Sequence, residues 1–236
     1  MEREVRAITT QQTSWGHHMS YTWSFSSFKQ YVNCPKQYQE VKVLKRFFVK
    51  QTQEMAYGNA VHKALEEYVK DGAPLAKNYE RFKPLMDALL EIEGEKYPEL
   101  RMALDRAGNA SEYGKGYWVR GIVDLLVIKD DLAHILDYKT GSSKYPDAKQ
   151  LKLMALMTFA KFPQIMRVKA GLLFVVNDAF VAEEYTRDQI PELWDAFKPD
   201  LQRMDASYDS DVWNPNPTPL CGWCPVKTCD FWKERR

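Results

Sequence analysis

Long apolar runs are missing from this sequence. No window approaches the eighteen or more uninterrupted apolar residues of a membrane-spanning helix, and Met1 to Thr13 lack the apolar centre of a secretory signal. A soluble, cytoplasmic protein with no membrane partner is therefore expected. An excess of either charge is missing too: Lys and Arg total 33 against 32 Asp and Glu. That balance excludes a bulk positive field, so any contact with nucleic acid has to come from a local patch. Cysteine is scarce, with four in 236 residues. In a reducing compartment such cysteines serve as thiols or metal ligands more readily than as disulfides. There is no P-loop of the form G-x-x-x-x-G-K-S/T and no G-x-S-x-G elbow, which excludes a helicase motor and a serine nucleophile of that type. Internal repeats and low-complexity tracts are also lacking. What remains, 45% apolar and 28% charged residues, is ordinary for a globular chain that can bury a sizeable core.

The apolar periodicity divides the chain. Residues 1 to 20, including His17 and His18, show neither period and read as a loose arm. Phe25, Phe28, Tyr31 and Val32 follow helical spacing after a Ser24 or Ser26 cap, and Cys34-Pro35 ends that helix. Ala60, Val61, Ala64, Leu65 and Tyr68 predict a second helix over 58–70, stopped by Asp71-Gly72. A third helix is expected over 79–93, then a mostly polar connector over 94–116. Residues 117–128 and 132–140 read as a β-hairpin around Lys129-Asp130-Asp131, because both are rich in β-branched and aromatic residues. A helix over 148–162, a buried strand over 168–176 and a helix over 190–204 follow. The Pro-rich stretch 214–219 then delivers Cys221, Cys224 and Cys229 in the spacing C-x2-C-x4-C.

The hairpin carries the chemistry. Asp137 and Lys139 lie two apart and so share one strand face. A tight turn at Asp130-Asp131 puts Asp124 directly across from Asp137, with Cβ atoms roughly 4.5 to 5.5 Å apart. Two carboxylates that close repel unless something compensates, and a divalent cation with oxygen ligands does so. The flanking Ile122, Val123, Leu125, Leu126 and Val127 imply a buried setting, where a charge needs a partner or a role. A plain cross-strand salt bridge between Asp124 and Lys139 is the structural alternative.

Gly58-x-x-x-His62 on a helix, Gly121-Ile122-Val123-Asp124 on a strand and Asp137-Tyr138-Lys139-Thr140-Gly141 on the next resemble the PD-(D/E)XK nuclease superfamily, and within it the RecB-like branch. Ser27, Tyr31 and Cys34-Pro35 echo the start of that branch, and the resemblance extends over about residues 24 to 232. It implies an α/β fold of the restriction-endonuclease type, a mixed central sheet flanked by helices. It also implies that His62, Asp124, Asp137 and the Tyr138 backbone carbonyl hold Mg2+ or Mn2+, and that Lys139 is catalytic with Asp124 and Asp137. Gln150 matches the first residue of a glutamine-x-x-x-tyrosine motif and joins the catalytic set, although Met154 stands where the tyrosine would be.

Three cysteines near the C-terminus and Cys34 far upstream resemble the RecB-like nucleases that carry an iron-sulfur cluster, such as the AddB-type recombination nucleases and the CRISPR-associated spacer-acquisition nuclease. The resemblance implies that Cys34, Cys221, Cys224 and Cys229 ligate one 4Fe-4S cluster and join the N- and C-terminal segments; structural Zn2+ satisfies four thiolates as well. The expected organisation is an arm over 1–20, a nuclease domain over 21–213 and a cysteine-bearing tail over 214–236. The implied function is a metal-dependent DNA nuclease. An exonuclease on DNA ends or single strands is expected, in recombination, repair or phage- and CRISPR-related DNA processing. The other class is a non-catalytic DNA-binding or assembly module on the same fold. Lys42, Lys45, Arg46, Lys50, Lys144, Lys149 and Lys152 are candidate phosphate contacts.

Overall fold

Five strands form one mixed sheet in chain order: β1 (Glu95–Leu104), β2 (Val119–Lys129), β3 (Leu132–Lys139), β4 (Arg167–Phe174) and β5 (Ala179–Thr186). They belong to a computed structural model that describes residues 21–144 and 146–233, so the arm expected over 1–20 lies outside the described residues. β1, β2 and β3 run antiparallel in turn, β3 and β4 run parallel, and β5 returns antiparallel. The expected hairpin is β2–β3. Its last pair, Lys129 with Leu132, leaves a two-residue turn in which Asp130 takes a φ of 53°, as a tight hairpin turn requires. The parallel step from β3 to β4 needs a crossover, which α5 (Lys149–Lys161) supplies.

Helices cover both faces. Against one lie α1 (Phe25–Asn33), α5, α6 (Ile190–Asp195) and α7 (Lys198–Ser210), packing Phe28, Leu151, Phe159, Phe197 and Met204 into the larger core. Against the other lie α3 (Gln53–Asp71) and α4 (Lys83–Leu90), whose Val61, Leu65 and Met86 meet Leu125, Val127 and Tyr138. Each fully buried aliphatic side chain of this kind contributes roughly 1.5–3 kcal/mol. Local caps agree with the layout. Ser24 and Ser27 cap α1 reciprocally, Thr52 Oγ1 accepts from the Met55 N–H at 3.2 Å to start α3, and Gly72 ends α3 at a φ of 66°. Between α1 and α3, Pro35 opens a short helix α2 (Pro35–Tyr38). Among the described residues no helix is long and apolar enough to cross a membrane.

Four expectations are corrected. The connector over 94–116 contains β1, and β5 had no counterpart in the expected elements. Both are edge strands, where Pro98 and the charges of Glu95, Lys96, Glu183 and Glu184 are tolerated because one side of the ladder is open. Helix α3 begins five residues earlier than expected, at its Thr52 cap. The helix expected over 190–204 is two, because Pro199 lacks an N–H and starts α7 afresh.

Candidate functional site

The site begins with a fault in two paired strands. On β1 the residues packed into the α5-side core are Tyr97 and then Leu100, Met102 and Leu104; on β2 they are Val119 and Val123 and then Leu126 and Ile128. Each strand thus takes one three-residue step within a period of two. The steps face each other: Pro98 pairs with Leu125 and Leu100 with Val123, while Glu99 and Asp124 between them are skipped. Glu99 has a φ of 49°, a conformation that redirects its side chain, as a bulge does. Glu99 and Asp124 therefore both turn toward α3.

Helix α3 meets them with His62, whose Nδ1 lies 3.3 Å from Asp124 Oδ1. Val61 and Leu65 bury this face of the helix, and Gly58 brings it close to the sheet, since a Cβ there would stand 2.9 Å from Thr140 Oγ1. The other carboxylate oxygen of Asp124 accepts from the Tyr138 N–H at 2.6 Å. Ligand atoms of His62, Glu99 and Asp124 all lie within 4.8 Å of one another, the only such group of His, Cys, Asp or Glu among the described residues. Burial would lower the pKa of His62, but the hydrogen bond and charge of Asp124, with Asp137 beyond, hold it above the usual imidazole value. Burial and the charges of Asp124 and Glu66 push Glu99 up to about 7. Crowded carboxylates of this kind are relieved by a cation. One imidazole and two carboxylates are a donor set suited to Mn2+ or Mg2+.

Behind this group stands a second one. Asp137, buried at the end of β3, accepts from Gln150 Nε2 of α5 at 2.9 Å, and its other oxygen lies 2.5 Å from Lys139 Nζ. Lys139 Nζ in turn donates to Gln150 Oε1 at 2.8 Å. Burial raises the pKa of Asp137 and the Asp124 charge adds to it, while Lys139 opposes both. The register expected for the hairpin is the one observed, yet the ladder stops at Leu125 with Leu136. Asp124 and Asp137 are consequently not the directly opposed pair expected. Asp124 is held from α3 and by the Tyr138 amide, Asp137 from α5, and the strand backbone at Tyr138 links the two sets. Lys139 pairs with Asp137 and no Lys139–Asp124 bridge forms.

Glu99 is the residue that sequence reading missed. Its signal was present: Tyr97 followed by Leu100, Met102 and Leu104 spaces the apolar residues by three and then by two, which is how a bulge appears in a sequence. An open cleft of about 1260 Å³ gives access to it, lined by His62, Glu66, Glu99, Ile122, Asp124 and Thr140 among others. Of the expected phosphate contacts, Lys149 Nζ is engaged by Asp200 at 3.0 Å and Arg46 lies 3.8 Å from Glu40.

The cysteines meet elsewhere. Cys34, Cys221, Cys224 and Cys229 line one cavity between α2 and the C-terminal tail. Their sulfurs accept N–H groups: Gln37 N and Asn216 N at 3.5 Å on Cys34, Gln37 Nε2 at 3.4 Å on Cys224, and Thr218 N at 3.3 Å on Cys221. Asn216 Nδ2 also donates to the Asn33 carbonyl at 3.0 Å, tying the tail to α1. No three of the four sulfurs lie within 4.8 Å of one another, so the ligand cluster expected of them is not drawn together as closely as the His62 group.

Comparison with known proteins gives one family. The profile of the PD-(D/E)XK nuclease superfamily matches residues 22–229. Among solved structures, a protein of Eubacterium rectale provisionally named an exonuclease is 11% identical, with a TM-score of 0.50 over 100% of this chain and 94% of that one. The crystal structure of SSO0001 is 13% identical, with a TM-score of 0.48 over 93% of this chain and 91% of that one. No curated protein matches the sequence.

Proposed function

This chain belongs to the PD-(D/E)XK nuclease superfamily, and on that premise we propose that it is a RecB-like, Mg2+- or Mn2+-dependent DNA exonuclease that works on ends or single strands. Nuclease membership and divalent-metal use come with the family. The observation that carries the residue assignment is the continuous network His62, Asp124, Tyr138 N–H, Asp137, Gln150 and Lys139, with Glu99 added from β1. Exonuclease action is supported by the resemblance to RecB-like nucleases and by the provisional name of the Eubacterium rectale neighbour. Recombination, repair and phage- or CRISPR-related DNA processing are the settings proposed.

His62, Glu99, Asp124, Asp137 and the Tyr138 carbonyl would hold the cation. When bound, it acidifies a water and neutralises charge that develops on the phosphate oxygens. Asp124 is kept in one orientation by the Tyr138 N–H and His62. Lys139 Nζ, fixed between Asp137 and Gln150, is pre-positioned to orient the attacking water and to stabilise the same charge without reorganising. Gln150 bridges Asp137 and Lys139, which gives it a positioning role rather than a chemical one.

We assign the four cysteines to a 4Fe-4S cluster that fastens the tail, residues 214–236, onto α1 and α2. Four thiols around one cavity with N–H donors aimed at their sulfurs are the donor set that such a cluster uses. Structural Zn2+ satisfies four thiolates as well, and the iron and zinc content of the purified protein distinguishes the two.

Cleavage of end-labelled single- and double-stranded DNA by anaerobically purified protein, with Mg2+, Mn2+ or EDTA, tests the reading. Metal-dependent loss of terminal nucleotides is expected. Fragments cut only internally would replace the exonuclease assignment, and no cutting with either metal would favour a DNA-binding module.

A further inference from the structure

The cleft is short of positive charge. Glu54, Glu66, Glu99 and Asp124 line it against His62 and Lys63, so its own field repels a polyanion. The missing charge stands next to it. Beyond Glu99 and Asp124, the next positions on the same sheet face are Arg101, opposite Ile122, and Arg120, opposite Ala103. Ile122 is itself a wall of the cleft. Both arginines are exposed. The Arg101 guanidinium lies 5.6 Å from the centre of the Tyr113 ring, and that of Arg120 lies 5.4 Å from the same ring and 5.2 Å from the Tyr117 ring.

Two guanidinium groups thus share one tyrosine, and among the described residues neither has a carboxylate partner. The cations at the catalytic network are matched, Lys139 by Asp137 and Lys149 by Asp200. This pair is unmatched, and both guanidinium groups lie within cation–π reach of the tyrosine rings. A phosphate suits such forks, because arginine is weakly hydrated and binds phosphate oxygens two at a time. At about 3.3 Å per strand residue, Arg101 stands about 7 Å from Glu99 and Arg120 about 13 Å from Asp124.

We infer that Arg101, Arg120, Tyr113 and Tyr117 form a phosphate track that holds the backbone of the DNA strand beside the bond being cut. The inference rests on the nuclease reading for its ligand class. Contacts of this kind set position and carry no base preference. The track lies on the edge strand β1 and its neighbour β2, so a strand laid along it leads directly to the Glu99–Asp124 fault.

The test is binding of a fluorescein-labelled oligothymidylate to the full chain, by anisotropy in EDTA, with Asp124→Ala as the parent so that no cleavage intervenes. Salt is varied between about 50 and 200 mM. Arg101→Gln with Arg120→Gln should raise Kd at least about tenfold and flatten the log–log salt slope by about 1.4, or 0.7 for each phosphate no longer neutralised on a single strand. Lys161→Ala with Lys169→Ala removes the same charge at the opposite end of the sheet and should change neither. Arg101→Lys with Arg120→Lys keeps the charge, so the slope should stay while Kd rises. Unaltered melting of the glutamine variant, with unaltered Mn2+ affinity when the same two substitutions are placed in the wild-type chain, excludes misfolding as the cause. Equal Kd and slope in the glutamine variant and the parent would overturn the track. Retained cleavage by otherwise wild-type protein in that case would leave the nuclease reading intact, whereas track-dependent binding by a protein that never cuts would remove the nuclease reading and keep the track.

Discussion

The carboxylate end of the sheet and the cysteine cavity are both metal-binding candidates, and they are built on opposite principles. At the sheet end, charged groups converge from four elements, β1, β2, β3 and α3, and each is restrained by a neighbour: Asp124 by the Tyr138 N–H and His62, Asp137 by Gln150 and Lys139. At the cavity, the ligands come from one short helix start and one tail, and neutral N–H groups face their sulfurs. The first is strained and acidic before any cation arrives, with Glu99 raised to about 7. The second, with the proposed cluster bound, would add to the aromatic packing and hydrogen bonds that join these chain segments, such as Tyr38 against Trp213 and Asn216 to the Asn33 carbonyl. A site that does chemistry stores electrostatic conflict, and a site that holds a fold avoids it.

Substitutions separate the two. Lys139→Ala and Asp124→Ala should each lower the cleavage rate by about 10³-fold or more, as removal of a preorganised charge at a reacting phosphate does, with DNA binding retained. Comparable loss from a cysteine substitution in a protein that stays folded would erase the distinction. Glu99→Gln should weaken Mn2+ binding about 10- to 100-fold by titration calorimetry. Glu54→Gln, in the same cleft but outside the cluster, should leave it nearly unchanged.

The cysteine cavity should respond in stability. Cys224→Ser is expected to cost about 2 kcal/mol and lower Tm by about 4–8 °C for a chain of this size, with loss of visible absorbance and of bound iron. Cleavage per folded molecule should change less than about twofold, since the cavity shares no residue with the cleft. Among the residues of the network the smallest effect is that of Gln150→Ala, expected to reduce kcat about tenfold with KM little altered, because Lys139 and Asp137 remain but lose their shared bridge. An unchanged kcat would remove Gln150 from the site.

The sequence exposed these two regions unequally, for physical reasons. The β2–β3 hairpin was legible because strong β formers flank a two-residue turn, and its register followed from that turn. The tail cysteines were legible because their spacing is local. The Asp124–Asp137 pairing was not, because it assumed an unbroken ladder where β2 carries its fault. Glu99 was hidden for the same reason on β1, whose Pro98 and charges look like a connector and are admissible only because the strand lies at an edge. A period-two reading that allows one three-residue step recovers both strands. The α/β class and most helices came from the apolar stripes, whereas their ends depended on single capping residues such as Thr52 and Pro199.

Central to this account is that Asp124 and Lys139 act on a phosphodiester together with a divalent cation. The most direct measurement is single-turnover cleavage of end-labelled DNA by the wild type, Asp124→Ala and Lys139→Ala, each with Mn2+ and with EDTA, alongside Mn2+ binding by the same proteins. The account predicts cutting by the wild type with Mn2+ alone, loss of both cutting and tight Mn2+ binding in Asp124→Ala, and loss of cutting with Mn2+ still bound in Lys139→Ala. Full cutting by either variant, or by the wild type in EDTA, would contradict it.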